Sequence, residues 1–284
     1  MSRFAPAKIN LYLHVTGRRD DGYHTLDSLV AFASIGDEVR WDPSPTFSFR
    51  LAGPLAGTLE VSTPSANNLV VRAAQALAEA VGEPLTGTLT LTKNLPTASG
   101  LGGGSSDAAA TLRLMAEVMG INDKPLLARL AEGLGKDVPC CLEDAPCCMG
   151  GAGEVITSAP PLPEVFVVLA NPGVPVSTPA VYQARQGAFS PPAPILTSPR
   201  DATALAVLLH DRRNDLAAPA CRIEPLVNSV LQALEGTDKC LLARVSGSGG
   251  TCFGLYATCP EAEAAACRLS AFHPTWWIRS GRLR

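Results

Sequence analysis

The chain has few charged residues, which make up 17% of its 284 residues, against about 25% in a typical globular chain. Lys and Arg number 23 and Asp and Glu 26, so the formal net charge is −3. No basic run exceeds a pair such as Arg18-Arg19. This composition argues against a nucleic-acid-binding protein, which needs a basic face to meet phosphates.

Long apolar runs are also missing. No stretch of about 18 uncharged apolar residues exists, which excludes a transmembrane helix, and residues 1–8 lack the apolar core of a secretory signal. Nine cysteines, an odd number, in a chain without such a signal favour free thiols in a reducing compartment. We therefore expect a soluble, cytoplasmic protein that contacts neither membrane nor nucleic acid.

The sequence lacks the usual motifs for metals and nucleotides. The pairs Cys140-Cys141 and Cys147-Cys148 are directly adjacent, and this spacing is not that of a zinc site. No His-Glu-x-x-His, EF-hand or Walker A pattern occurs. The metal ligands are therefore unknown from the sequence.

Periodicity predicts a mixture of strands and helices. Apolar residues alternate with polar ones over 8–15, which predicts a strand with Lys8 and Asn10 on its polar face. A helix over 69–82 begins after Asn67 or Asn68 as its cap. Further strands are predicted over 87–93, 165–170, 241–245 and 252–256, and further helices over 107–120, 126–134, 205–209, 226–234 and 261–269. Thr178-Pro179 opens another helix, with Thr178 as its cap.

The order of these elements favours an α+β fold over a doubly wound sheet, because strands and helices do not alternate strictly. A segment rich in glycine and proline, 150–163, is the expected domain boundary. We therefore expect a first domain over 1–158 and a second over 159–284.

The most distinctive segment follows the strand over 87–93. It consists of Pro96, Thr97, Ala98, Ser99, Gly100, Leu101, Gly102, Gly103, Gly104, Ser105 and Ser106. Glycines let a backbone approach an anion, and the N-terminus of the next helix favours phosphate. Ser105 stands where a dinucleotide fingerprint has its third glycine, which disfavours a nicotinamide dehydrogenase. The alternative is a tight turn between strand and helix, but four glycines in five residues exceed what a turn requires.

Other candidate residues are ambiguous when taken singly. Asp137 is by itself best interpreted as a turn or N-cap residue, and Lys8 as a solvated surface lysine. His24 and Tyr23 are ordinary as isolated residues. The loop 246–250 is explained equally well by a β-hairpin, or by a second wall for the same anion.

Together, these motifs resemble those of the GHMP small-molecule kinases. The resemblance runs in order from Pro6 to about Tyr256. Its motifs are Pro6-Ala7-Lys8-Ile9-Asn10-Leu11, Gly22-Tyr23-His24, the segment 95–109, Gly135-Lys136-Asp137-Val138-Pro139 and Ser246-Gly247-Ser248-Gly249. The resemblance implies a two-domain α+β kinase, with a first domain like a ribosomal protein, a ferredoxin-like second domain and a site in the cleft between them.

The resemblance also implies cofactors and roles. ATP would lie along the segment 96–106, with Mg²⁺ on Ser105 or Ser106. Asp137 would be the catalytic acid/base, and Lys8 its partner at the acceptor hydroxyl. A carboxylate that accepts the hydroxyl proton and a nearby ammonium are what phosphoryl transfer requires.

Within the family, the Gly22-Tyr23-His24 triplet resembles that of a member acting on the 2-hydroxyl of a cytidylyl methylerythritol. Five residues would then bind the substrate: Asn10, Tyr23, His24, Thr178 and Tyr182. Three would form the second glycine loop: Gly247, Ser248 and Gly249. We expect a monomer or weak homodimer. The alternatives are another GHMP kinase of a small alcohol, or a non-catalytic RNA-binding module.

Two positions depart from the family pattern. Ala98 stands where glycine is common, so a left-handed backbone there would be strained. Lys136 stands where a small residue is common, and we expect its side chain to point outward.

Overall fold

The computed structural model describes residues 1–57 and 67–284. The chain forms two compact units. The first holds Met1–Ala7, Gly36–Thr97 and Gly102–Asp144, and the second holds Lys8–Ile35, Ala98–Leu101 and Ala145–Arg284. Each unit is therefore built from segments that are far apart in sequence. Among the described residues, no helix combines the length and the apolar character needed to cross a membrane.

The first unit contains a small sheet around strand β4 (Thr88–Thr92). This strand pairs antiparallel with residues 38–42 of β2 (His24–Asp42) and parallel with β3 (Ser48–Ala52). Leu89 and Leu91 are fully buried between half-buried threonines, which confirms the alternation predicted for this segment.

Four helices belong to the first unit. They are α1 (Leu69–Val81), α2 (Gly103–Val118), α3 (Lys124–Leu134) and α4 (Val138–Glu143). The predicted cap of α1 is confirmed, because the Asn68 side chain accepts a hydrogen bond from the Val70 N–H, and the left-handed Gly82 ends the helix.

Helix α2 begins earlier than predicted. The sequence predicts a start near Asp107, but the helix begins at Gly103, with Gly102 as its cap. Glycine disfavours helix interiors, so propensity places the start after the glycines. The helix begins earlier because residues 106–112 and 114–116 of α2 are buried. The packing of these residues outweighs the low helix propensity of the first turn.

The second unit begins with most of strand β1 (Ser2–Arg18). Residues 5–15 of this strand are all buried. The interpretation of Lys8, taken singly, as a solvated surface lysine is therefore wrong: Lys8 is 3% exposed, and Asn10 on the same face is 0% exposed. Both faces are covered, and the polar side chains on them must find partners inside the protein.

The second unit has two groups of strands. Residues 26–30 of β2 pair with β5 (Cys147–Gly151), and β5 pairs with β6 (Val155–Ser158). A four-stranded antiparallel sheet has the order β10-β7-β9-β8. Its strands are β7 (Phe166–Asn171), β8 (Leu242–Val245), β9 (Cys252–Tyr256) and β10 (Trp277–Arg282). The prediction for β9 is confirmed residue for residue.

Helices complete the second unit. They are α5 (Thr178–Gln183), α6 (Ala202–His210), α7 (Ala217–Ile223), α8 (Pro225–Glu235) and α9 (Cys259–Phe272). The cap of α5 is Ser177, one residue before the predicted Thr178, and its hydroxyl accepts the N–H of Ala180. Either hydroxyl residue before Pro179 suits the pattern, so sequence alone places this cap only to within one position.

Candidate active site

The two glycine-rich segments meet in the second unit. The Ser246 hydroxyl donates to the carbonyl of Gly100 at 3.0 Å, and the N–H of Thr251 donates to the carbonyl of Ser99 at 2.8 Å. A Cβ on Gly100 would lie 2.3 Å from the Ser246 carbonyl oxygen. Only glycine therefore allows the two backbones to come this close.

Asn10 lies beside this contact. Its N–H donates to Ser246 Oγ at 3.3 Å, and its side-chain amide donates to Ser28 Oγ at 2.8 Å. Its Oδ1 is buried and accepts no hydrogen bond within the described residues. Oδ1 lies 3.4 Å from where a Cβ of Gly247 would be, so Asn10 presents a hydrogen-bond acceptor at the second glycine loop.

Lys8 is two residues before Asn10 on the same strand. Its N–H donates to the carbonyl of Leu101 at 2.8 Å, which ties β1 to the end of segment 98–101. The side chain is almost fully buried. A buried ammonium is held by partners, unlike the solvated lysine that the strand pattern alone suggests.

Thr178 is joined to the second glycine loop. Its hydroxyl lies 2.7 Å from Ser248 Oγ, and the N–H of Val176 donates to the Ala98 carbonyl at 3.4 Å. The start of α5 is thus connected to both glycine segments.

Aromatic rings gather around His24. Its ring stacks on Tyr182 with centroids 5.1 Å apart and an interplanar angle of 24°. Tyr23, next to it, is 54% exposed. Burial lowers the pKa of His24, and the positive charges of Arg18 and Arg185 lower it further. A neutral imidazole presents one donor and one acceptor, which suits the edge of a nucleobase.

Ala98, at the start of this segment, has a left-handed backbone with φ of 48°. The backbone strain expected for an alanine in a left-handed conformation is therefore present at position 98. Strained backbone at a site of this kind persists only where its surroundings hold it.

We expect Ala98→Gly to raise the free energy of unfolding by about 1 kcal/mol, because relief of the left-handed strain exceeds the added freedom of the unfolded chain. Denaturant unfolding measures the change. Ala257→Gly, at an exposed bend without positive φ, is the control and should destabilise the protein. Equal losses in both variants would contradict a strained Ala98.

The rest of the first glycine segment lies in the first unit, in the opening turn of α2. The first N–H groups of a helix have no partner inside it, and together with the helix dipole they attract phosphate. The Ser106 hydroxyl is buried and has no hydrogen-bond partner within the part of the chain that the structure describes. This turn therefore offers backbone donors and a hydroxyl to a polyphosphate.

Asp137 also lies in the first unit, at the N-cap position of α4. Its side chain makes no capping hydrogen bond to that helix, unlike Asp123 on α3, which accepts the N–H of Leu126. Capping therefore does not account for the carboxylate of Asp137. The neighbouring Lys136 is exposed.

A buried charge cluster lies beneath the start of α2. Lys93 donates to Asp37 Oδ2, and to Asp107 Oδ2 at 3.0 Å. Asp37 Oδ1 also accepts the N–H groups of Asn94 at 2.6 Å and Leu95 at 2.9 Å. The cluster thus joins both ends of the glycine segment to strand β2.

The two carboxylates of this cluster are not equivalent. Asp37 accepts hydrogen bonds from three donors, whereas Asp107 accepts one and its Oδ1 accepts none among the described residues. Burial raises the pKa of Asp107 to about 8, with Lys93 opposing and Asp37 adding to the shift. Burial therefore favours the protonated form of Asp107.

The sequence did not indicate Arg185 or the buried charge cluster, and it indicated Ser246 only as the first residue of the second glycine loop. Lys93 and Asp37 are 56 residues apart, and no local motif joins them. The hydroxyl of Ser246 preceding a glycine run was the one available signal.

Comparison with known proteins accounts for these features. The family models described as GHMP kinases N terminal domain and GHMP kinases C terminal match residues 68–151 and 200–275. A 4-diphosphocytidyl-2-C-methyl-D-erythritol kinase of Paramagnetospirillum magneticum is 51% identical over 280 residues, which cover 98% of this chain and 97% of that protein. The chain is a GHMP kinase.

Other relatives agree. A kinase of the same name from Rhodospirillum rubrum is 47% identical and covers 98% of this chain and 91% of that protein. A crystal structure of 4-(cytidine 5'-diphospho)-2C-methyl-D-erythritol kinase superposes with a TM-score of 0.82 at 34% identity, covering 100% of this chain and 99% of that one. The homoserine kinase of Cytophaga hutchinsonii shares the fold, with a TM-score of 0.73 at 15% identity over 99% of this chain and 94% of that one.

Membership confirms the two-domain α+β kinase fold expected from the motifs. It makes this GHMP kinase a small-molecule kinase with ATP as a substrate.

Proposed function

We propose that this GHMP kinase transfers the terminal phosphate of ATP to the 2-hydroxyl of 4-diphosphocytidyl-2-C-methyl-D-erythritol, giving the 2-phosphate and ADP. The observation that carries the proposal is near-full-length identity of about one half to kinases of that name. The ring stack of His24 and Tyr182 supports it, because a cytosine needs a flat apolar partner and a hydrogen-bonding edge.

The first turn of α2 holds the ATP phosphates in this proposal. Its glycines leave the backbone N–H groups accessible, and these groups stabilise negative charge on the phosphates. Gly247, Ser248 and Gly249 of the second glycine loop are also proposed to take part in binding.

Mg²⁺ is the cofactor that we propose. The Ser106 hydroxyl, which is buried and has no hydrogen-bond partner among residues 1–57 and 67–284, fits an oxygen ligand for a hard cation, as does the neighbouring Ser105. When bound, Mg²⁺ neutralises charge on the phosphates.

Asp137 and Lys8 carry the chemistry in the proposal. Asp137 accepts the proton of the acceptor hydroxyl as that oxygen forms its bond to phosphorus. The ammonium of Lys8 stabilises negative charge on the oxygen.

The cytidine end is bound by aromatic residues. Tyr23 and Tyr182 stack on the base, and His24 hydrogen-bonds to its edge. Asn10 and Thr178 position the polar groups of the substrate. The buried Oδ1 of Asn10, which accepts no hydrogen bond from the described residues, supports its part in this set.

We expect Tyr182→Ala to raise the KM for the cytidylyl substrate about 5- to 100-fold, because alanine removes one ring that stacks on the base. The KM for ATP should change little. Steady-state kinetics with each substrate varied in turn gives both values. Tyr182→Phe keeps the ring and should retain most of the affinity, and equal KM values in Tyr182→Ala and wild type would contradict base stacking there.

A substrate panel tests the activity itself. The purified protein with ATP and Mg²⁺ is offered the cytidylyl substrate beside homoserine, mevalonate and galactose, and ADP formation is followed. We expect turnover of the cytidylyl substrate alone. Preference for one of the other alcohols would assign the chain to another GHMP kinase activity.

A further inference from the structure

A cation extends the ring stack of His24 on one side. The Phe189 ring lies edge-on to His24, with centroids 6.4 Å apart, and the Arg185 guanidinium lies 4.8 Å from the centre of the Phe189 ring. Tyr182 covers another side of His24. We call Tyr182, His24, Phe189 and Arg185 the His24 cluster.

Arg185 is fixed by its own loop. It donates to the carbonyls of Gly187 and Ala188, while its Nε is buried and has no partner within the described residues. No carboxylate in residues 1–57 and 67–284 forms an ion pair with it. The guanidinium is thus held in place with its charge uncompensated.

Arg18 brings a second cation to the His24 cluster from the end of β1. It donates to the Gly22 carbonyl at 3.4 Å. The neighbouring Arg19 pairs with Asp21 at 3.0 Å and with Glu154 at 2.7 Å.

Both arginines place positive charge near His24. Burial lowers the pKa of His24 most, and Arg18 and Arg185 lower it further. A stacking platform for a base is flanked by two arginines, side chains that match phosphate oxygens in shape and charge.

We propose that Arg18 and Arg185 form an anion subsite beside the base platform, which selects a pyrimidine nucleoside diphosphate over the uncharged nucleoside. This rests on the proposed function, in which the base carries a diphosphate. Stacking alone accepts any base with or without phosphates. The two arginines add the charge selectivity and keep His24 neutral for the base edge.

Binding of cytidine, CMP and CDP tests the subsite. Dissociation constants are measured by calorimetry at low and high salt for wild type, Arg18→Gln, Arg185→Gln and the double variant. Each substitution should weaken CDP about three- to tenfold and leave cytidine unchanged. The salt dependence of CDP binding should fall in parallel, because fewer charges meet the phosphates.

Controls separate charge from folding. Arg268→Gln removes an arginine that pairs with Asp238 on the surface, and should change nothing. Arg185→Lys keeps the charge and should recover part of the affinity. In Arg185→Gln, the pKa of His24, followed by its imidazole NMR signals, should rise.

The outcomes distinguish the two proposals. If the double variant binds cytidine normally and keeps the wild-type preference for CDP, the subsite is wrong and the proposed function stands. If the wild-type protein binds neither cytidine nor CDP, the proposed function falls and the subsite with it.

Discussion

Replacing Asp137 with asparagine is expected to lower kcat by about 10²- to 10⁴-fold, the loss of a general base. Asparagine keeps the size of the side chain but does not accept the proton of the acceptor hydroxyl. The KM for ATP should stay close to that of the wild type. Steady-state kinetics with the cytidylyl substrate measures both quantities.

Asp123→Asn is the matched control for this variant. Asp123 is also an N-cap aspartate, but its carboxylate does cap its helix, and asparagine caps equally well. The kcat of Asp123→Asn should equal that of the wild type. A kcat for Asp137→Asn within a few-fold of the wild type would reduce Asp137 to a turn residue.

Truncation of Asp37 is expected to have the largest effect on stability. Asp37→Ala leaves the N–H groups of Asn94 and Leu95 without their acceptor and removes one of the two carboxylates that pair with Lys93. We expect the free energy of unfolding to fall by about 3–5 kcal/mol. Denaturant unfolding, followed by circular dichroism, measures the loss.

Asp107→Ala makes the same truncation in the same cluster. Because Lys93 is the one donor to the carboxylate of Asp107 among the described residues, the loss should be smaller, about 1–2 kcal/mol. Equal losses in the two variants would contradict the conclusion that the carboxylates of Asp37 and Asp107 differ.

The protonation of Asp107 also predicts a pH dependence. Its pKa is about 8 in the folded protein against an ordinary value of 3.8, so its contribution to stability is complete below the lower value and is lost as the pH rises towards the higher one. The free energy of unfolding, measured against that of Asp107→Asn, should therefore decrease from pH 4 to pH 8. A difference that does not change with pH would place the proton elsewhere.

The sequence predicted correctly the helices and strands whose ends are set by nearby residues, such as a capping side chain or a short apolar run. Helix α1 has a capping asparagine and a terminal glycine, and strand β9 is a short apolar run, so both were found. The start of α2 was misplaced because its glycines oppose a helix that burial enforces. Strand β10 was missed, since its pairing with β7 joins residues more than one hundred positions apart.

The candidate site divides in the same way. The glycine segment and Asp137 stand out through contiguous motifs, which a sequence displays directly. Ser246 contacts Gly100, and Arg185 lies in a cluster with His24. These partners are far apart in the sequence and come together only in the fold. Burial of Lys8 was also hidden, because alternation along a strand does not reveal whether its second face is covered.

The division of β1 bears on how the protein is made. Residues 8–18 are synthesised first, yet they belong to the unit that also contains β10 and the bond between Arg284 and Phe32. At a translation rate of about 5–20 residues per second, this strand waits roughly 10–50 s for the last part of its unit to be synthesised. During that interval we expect chaperones to bind the exposed strand β1. Chains whose synthesis stops before residue 277 should aggregate rather than accumulate as soluble fragments.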